Sequence, residues 1–319
     1  MLTRRGARAL LLASVAAAAC DDSIRNHTVV ILFVGANQDD PTFQLLRCAA
    51  VRSAVRVARR RLPKFAVRTL FVSHDRNRTV PGAHFDAVLD APRALDVATV
   101  AVARYEHVRA MLDAVSLGAA YAADDMCAGW VWRVRLEMLV AAFDLPEYPE
   151  APVCYGYRNQ FAGKMVSDNL LFGTAATVRR MFAPHDWDPA APPDPTILER
   201  LRPSPDFKNG PEALMEARVG SHVCDFAGVP YSLFLAHDVS PVRRWWGSGA
   251  RGDWDHSRTS VLDHAELRPD LASCGRDNPR ANWSALELKG GHVRRGTQVA
   301  VLWCSCAARS TKIKGDASD

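Results

Sequence analysis

An unbroken apolar run, Val29 to Val34 within "HTVVILFVGANQDD", limits the fold of this chain more than any other feature. A strand with one wet face alternates apolar and polar residues, whereas a continuous run has both faces covered. The run ends in a Gly35-Ala36-Asn37 loop. "PTFQLLRCAAVRSAVRVARRRLP" follows, an amphipathic helix with Arg52, Arg56, Arg59 and Arg60 on its polar stripe and Pro63 as its stop. "VRTLFVSHD" predicts a second strand and "FDAVLDAP" a short third. "DVATVAVARYEHVRAMLDAVSLG" then predicts a long helix with Val108, Met111, Leu112 and Val115 on one face and Gly118 as its C-terminal stop. Strands alternating with helices at this spacing predict an α/β domain with a mainly parallel central sheet flanked by helices.

The second half has weaker periodicity. "KMVSDNLLFG" reads as a strand and "TAATVRRMF" as a short helix capped by Thr174. A Pro- and Asp-rich loop leads to a helix "PEALMEARV" that opens on Pro211, and "YSLFLAHD" and "TQVAVLWCSC" read as strands. The domain is expected to span residues 27–240. Residues 241–306 form an irregular extension or lid of the same domain, and 307–319 a disordered tail.

Between the halves lies "GWVWRVRLEML". If extended, it directs Trp130, Trp132, Val134 and Leu136 to one face and Val131, Arg133, Arg135 and Glu137 to the other. Two readings account for the charged face. It is a ladder of charges in water, which explains Arg133 adequately, or it is the wall of a site that binds a charged ligand. A carboxylate beside cations suits a metal-bound diphosphate, the carboxylate holding the cation and an Arg neutralising phosphate.

Composition excludes few classes. The 319 residues are 48% hydrophobic and carry a net charge of only +5, too small and too dispersed to indicate a nucleic-acid binder. "MLTRRGARALLLASVAAAAC" has a basic start, an apolar run and small residues before Asp21, the layout of a signal peptide or short anchor over residues 1–20. Sequons at Asn26, Asn77 and Asn282 agree with export. The cysteines beyond that leader (Cys48, Cys127, Cys154, Cys224, Cys274, Cys304 and Cys306) are odd in number. Pairing in an oxidising lumen would leave at least one free or intermolecular. Their spacing gives no zinc signature.

The phosphate-loop, dinucleotide, zinc-protease and serine-hydrolase fingerprints are absent. What remains are acidic residues at predicted strand ends, where open α/β sheets bind ligands: Glu137, Asp168 and Asp238, with Glu212 in the first turn of the later helix. Each has an ordinary structural reading too, as a turn residue or a carboxylate on a helix dipole.

The order "ARYEHVRAMLDAV … WVWRVRLEML … MVSDNLLFGTAATVRRMF … GPEALMEARV" resembles the WavE-type family. These are GT-A-like glycosyltransferase domains associated with polysaccharide and lipopolysaccharide synthesis, with relatives among algal and plant proteins. The family pairs an Arg-bearing helix with a strand [K/R]-x-R-x-D, a strand with Asp before (F/W)-x-G and a helix, and a "PE" helix. Arg104, Arg133, Arg135, Asp168, Gly173 and Glu212 match it. Glu137 stands where the family has Asp, and a plain D-x-D is missing. The likeness runs over about half the chain, Val29 to about Asp238.

The resemblance implies transfer from a nucleotide-sugar donor to a glycan or lipid-linked acceptor. Gly35, Ala36 and Asn37, with Arg104, Arg133 and Arg135, would bind the donor. Glu137, with Mn²⁺ or Mg²⁺, would hold the leaving diphosphate, and Asp168 or Glu212 would act as base. Arg243 or Arg244, with Trp245 and Trp246, would contact phosphate and sugar from the lid. The implied setting is the Golgi or ER lumen, or secretion, with membrane contact only through an N-terminal anchor. A non-catalytic glycan-binding or scaffold protein on the same fold is the alternative. A metal-dependent sugar-phosphate hydrolase is a third reading, which no His or Asp cluster supports.

Overall fold

The computed structural model describes residues 20–35, 41–74, 79–92, 102–136, 138–143, 154–158, 166–182, 224–225, 231–238, 265–281, 286–294 and 297–304. Its helices are α1 (Asp22–Asn26), α2 (Pro41–Arg61), α3 (Val102–Asp124), α4 (Ala175–Phe182) and α5 (Arg268–Asp277). Strands β1 (Thr28–Gly35), β2 (Ala66–Ser73), β3 (Ala87–Asp90), β4 (Trp130–Arg135) and β5 (Met138–Phe143) belong to the first half. The second half supplies β6 (Cys154–Arg158), β7 (Val166–Thr174), β8 (Cys224–Asp225), β9 (Tyr231–Asp238), β10 (Leu286–Arg294) and β11 (Thr297–Cys304).

A seven-stranded sheet runs in the order β3-β2-β1-β4-β7-β6-β8. It is parallel except for β7, which pairs antiparallel with β4 and β6. The apolar run of β1 occupies the interior of this sheet, and Val29 through Phe33 are fully buried. Alternate residues enter two separate cores. Val29, Ile31 and Phe33 join Trp130, Trp132 and Val134 of β4 against α2 and α5. Val30, Leu32 and Val34 join Val131 against α3 and α4. The fold is therefore mixed α/β, a mainly parallel sheet between helical layers, as the alternation of strands and helices predicts.

Some local expectations hold and others do not. Thr174 caps α4, its Oγ1 accepting the Thr177 backbone N–H at 3.1 Å. Gly118, expected to stop α3, lies inside it, and the helix continues for another turn and a half to Asp124. A Cβ at 118 would lie 2.5 Å from Leu32 Cδ1 and 3.0 Å from Val72 Cγ2. The missing side chain thus marks the close approach of α3 to β1 and β2. Arg52 and Arg56 do not form a solvated stripe. Arg56 Nε donates to Asp270 at 2.9 Å, and Arg52 donates to the Gly82 carbonyl and to Ser273 Oγ.

Those contacts fasten α5, which lies within the stretch read from sequence as lid or loop. Leu267, Leu271 and Cys274 are buried in the α2-side core. A disulfide joins Cys274 to Cys48 on α2 across 226 residues. A second disulfide joins Cys20 to Cys127, so Cys20 belongs to the folded unit and the cysteines available for pairing number eight rather than seven. Cys127 takes a left-handed φ of 55° in the turn before β4. Gly129 there donates its N–H to the Arg25 carbonyl at 2.8 Å, holding α1 against the start of the strand.

A second sheet, β10-β11-β9-β5, contains the strand that directly follows β4. The stretch "WVWRVRLEML" is therefore two strands. β4 ends at Arg135, the chain turns at Leu136, and Met138 opens β5 in the other sheet, antiparallel to β9. The predicted loop and helix between 183 and 223 and the tail beyond 304 lie outside the described residues. No helix among the described residues is long and apolar enough to cross a membrane.

Candidate functional site

Strand order fixes where a ligand crevice opens. From β1 the chain passes through α2 to β2 on one side, and after β3 it returns through α3 to β4 on the other side. The order reverses between β1 and β4, and α2 and α3 lie on opposite faces. In open α/β sheets such a reversal leaves a crevice outside the carboxyl ends of the two strands, uncovered by either crossover. Gly35 and Arg135 end those strands, with Val34 in register with Arg135.

The antiparallel strand brings a carboxylate residue to the same end. Val134 of β4 pairs with Leu170 of β7, and β7 runs the opposite way, so Asp168 lies beyond Leu170 at the level where β4 ends. Arg158, the last residue of β6, pairs with Val166 at this same end. α3 ends at Asp124 near the start of β4. Its 23 residues span about 35 Å, roughly twice the length of β4 at about 3.3 Å per residue. Arg104, in the first turn of α3, therefore belongs to the carboxyl-end side of the sheet. The side chains of Arg104 and Asp168 lie outside the described residues, as do Asn37, Glu137, Glu212 and Arg243 in full.

Arg133 behaves differently from expectation. It pairs with Leu32 of β1 and Leu171 of β7 and is only 2% exposed, which overturns the reading of this position as a charge in water. The cause is topological. A ladder of solvated charges needs an uncovered face, and β4 lies between β1 and β7 with helices on both sides. Arg133 lies about 7 Å inside the sheet from Arg135, given the rise of a strand. Arg135 is half-buried at the rim.

Two polar residues at this end were missed from the sequence. Ser73 ends β2, and it and His74 are buried. The His74 backbone N–H donates to the Gly35 carbonyl at 3.0 Å, extending the β1–β2 pairing to the mouth of the crevice. The signal was available in "FVSHD", where polar residues directly follow an apolar strand. Asp238, also singled out, ends β9 in the other sheet and is in register with Cys304 of β11.

A divalent ion that bridges a diphosphate needs only one or two protein carboxylates, with phosphate oxygens and water completing its shell. Among the described residues no group of three or more His, Cys, Asp or Glu forms a cage. The residue expected from the sequence to hold such an ion is Glu137, between Leu136 and Met138 in the chain. In hardness, one carboxylate there fits Mn²⁺ or Mg²⁺ held jointly with substrate phosphate.

No protein-family model matches the chain, and no curated protein matches it in sequence. Solved structures that share part of its path include a Drosophila β1,4-galactosyltransferase 7 mutant in complex with manganese, UDP-galactose and xylobiose. That chain is 12% identical, with a TM-score of 0.29 over 49% of this chain and 52% of that one. An active-site mutant of LgtC aligns at 13% identity and a TM-score of 0.28, over 47% and 59% of the two chains. The galactosyltransferase LgtC with donor and acceptor sugar analogues aligns at 12% and 0.27, over the same shares. The chain thus spans little more than half the length of each of these proteins.

Proposed function

We propose that this chain is a nucleotide-sugar-dependent glycosyltransferase of the GT-A-like kind, acting on a glycan or lipid-linked hydroxyl in the secretory pathway. The observation that carries the reading is the register of β7 on β4, which returns Asp168 to the strand ends where the sheet order reverses. The resemblance in motif order supports it as well, because two of the strand positions it names, Arg135 and Asp168, lie at this end. The two disulfides agree with an oxidising lumen.

In this reading the nucleotide enters the crevice between β1 and β4 and passes over Gly35, with residues 36–37, Arg104 and His74 at the mouth. Arg135 faces the diphosphate from the rim, and Arg133 adds a fixed positive charge behind it. Glu137 would hold the divalent ion, whose charge would help neutralise the leaving diphosphate. Asp168 or Glu212 accepts the proton of the acceptor hydroxyl if the anomeric centre inverts. Arg243 contributes a phosphate contact from the 241–264 region.

Titration calorimetry with UDP and GDP, each with and without Mn²⁺, tests this. Binding of either diphosphate should require the metal and disappear in Glu137→Gln, with no change in melting temperature. Absence of metal-dependent binding in the parent protein would sink the transferase reading. It would leave the second one, a glycan-binding protein on the same fold, which the Glu at 137 and the missing D-x-D favour.

A further inference from the structure

The chain changes sheets between Arg135 and Met138, and the residues on either side of the change are unusually constrained. On the β4 side, Leu136 is fully buried and packs into the space left by Gly35. A Cβ on Gly35 would lie 3.1 Å from Leu136 Cδ2 and 3.4 Å from its Cβ. On the β5 side the pairing with β9 shifts between Val140 and Ala142, leaving Ala141 as the extra residue of a β-bulge. Bulges disturb ladder pairing, bend the strand and re-aim neighbouring side chains.

Helix α2 binds the backbone of this bulge through two side chains. Ser53 Oγ accepts the Val140 N–H at 2.9 Å and donates to the Ala50 carbonyl at 2.9 Å. Both Ser53 and Val140 are fully buried, so this N–H has no access to water. Arg56 Nη2 donates to the Val140 carbonyl at 3.4 Å, while its Nε is held by Asp270 of α5 at 2.9 Å. One residue of β5 thus has its N–H and its C=O both tied to the same helix, three positions after Glu137.

We infer that Ser53 and Arg56 are positioning residues for the proposed donor site. They lock the β5 bulge and, with Leu136 seated on Gly35, hold the backbone on both sides of position 137, the residue proposed to bind a divalent cation with diphosphate. The inference rests on the donor-site reading above for its ligand but not for the lock itself. Neither residue touches substrate. Their effect passes through Val140 and the short connection back to Glu137.

Amide hydrogen exchange on the full-length protein tests the lock without a ligand. Ser53→Ala removes the acceptor of a buried N–H, and exchange across residues 136–143 should speed up about tenfold. Ser53→Thr should restore it, and Arg56→Met, which keeps Ser53, should produce a smaller rise. Gly118→Ala, a packing defect on the opposite helical layer, serves as a control of comparable instability and should leave 136–143 protected. Titration with Mn²⁺ and UDP then tests positioning. Affinity should drop about tenfold in Ser53→Ala and stay at the parent value in Gly118→Ala.

Unchanged exchange in Ser53→Ala, or a rise matched by Gly118→Ala, overturns the lock. Faster exchange with undiminished Mn²⁺-dependent affinity overturns positioning. If Glu137→Gln binds as the parent does, the failure belongs to the donor-site reading, and the exchange result still decides the lock.

Discussion

Gly118→Ala sets two physical effects against each other. Gly118 is interior to α3, where replacing Gly with Ala favours the helix by about 0.5–1 kcal/mol. The new methyl, however, would stand 2.5 Å from Leu32 Cδ1, 3.0 Å from Val72 Cγ2 and 3.1 Å from Leu32 Cδ2. Favourable carbon contacts lie near 3.5–4.0 Å, so α3 and the sheet must separate by about 1 Å or Leu32 must leave its rotamer. Leu32 and Val72 are fully buried, on the face shared with Ala114, Val115 and Ala119 of the same helix, so neither has free space to enter. Inserting a methylene into such a core costs about 1–3 kcal/mol, which exceeds the helical gain. We expect a net loss of about 1–2 kcal/mol, read as a lower urea midpoint at unchanged slope with the disulfides intact. In a Leu32→Ala background the clash is gone, and Gly118→Ala should become neutral or stabilising. If Gly118→Ala alone raises the midpoint, α3 does not approach β1 and β2 this closely.

Three further outcomes follow from other parts of the molecule. Burial raises the Asp270 carboxyl above its usual value, even though the Arg56 hydrogen bond and charge pull it down. Above pH 3.8 and up to that raised value the folded state holds more protons than the unfolded one. This group's contribution therefore weakens as pH rises through the window, and urea titrations from pH 4 to 7 should show that slope vanish in Asp270→Asn. Replacing Cys48 and Cys274 together by Ala should cost about 3–5 kcal/mol, the range for closing a very long loop, and calorimetric melting under oxidising conditions would measure it. Glu137→Gln should abolish Mn²⁺-dependent UDP binding in calorimetry while circular dichroism and melting temperature stay at parent values.

The first half of the fold was legible because its signals are local. The apolar run of β1, the Arg-bearing amphipathic α2, and Thr174 at the start of α4 each announce themselves within a few residues. Gly118 misled because a glycine at a helix end and a glycine at a helix–sheet contact are identical in sequence. Only the positions of Leu32 and Val72 distinguish them. The break between β4 and β5 was hidden for a related reason. Alternation in "WVWRVRLEML" has the right period on both sides of the turn, and nothing in it records that the second half pairs with β9. Helix α5 was missed because its weight lies in partners over 200 residues away, Cys48 and Arg56. As for the candidate site, strand ends could be listed from the sequence, but which of them meet depends on sheet order. Arg133 shows the limit most clearly, since its burial follows from β4 lying inside a sheet covered by helices on both faces.

The bond between Cys48 and Cys274 also sets a timetable for biosynthesis. Its cysteines are 226 residues apart, and at about 5–20 residues per second the second is made about 10–45 s after the first. Throughout that interval α2 is complete but α5, which seals one of its sides, does not yet exist. Cys48 must wait as a thiol on an unsealed amphipathic helix while Cys127, Cys154 and Cys224 emerge as wrong partners. Correct pairing of Cys20 with Cys127 removes one competitor before Cys274 arrives. A cell that makes this protein well therefore has to shield α2 and reshuffle early mispairs, and its yield should respond to disulfide-isomerase capacity more than to oxidant supply.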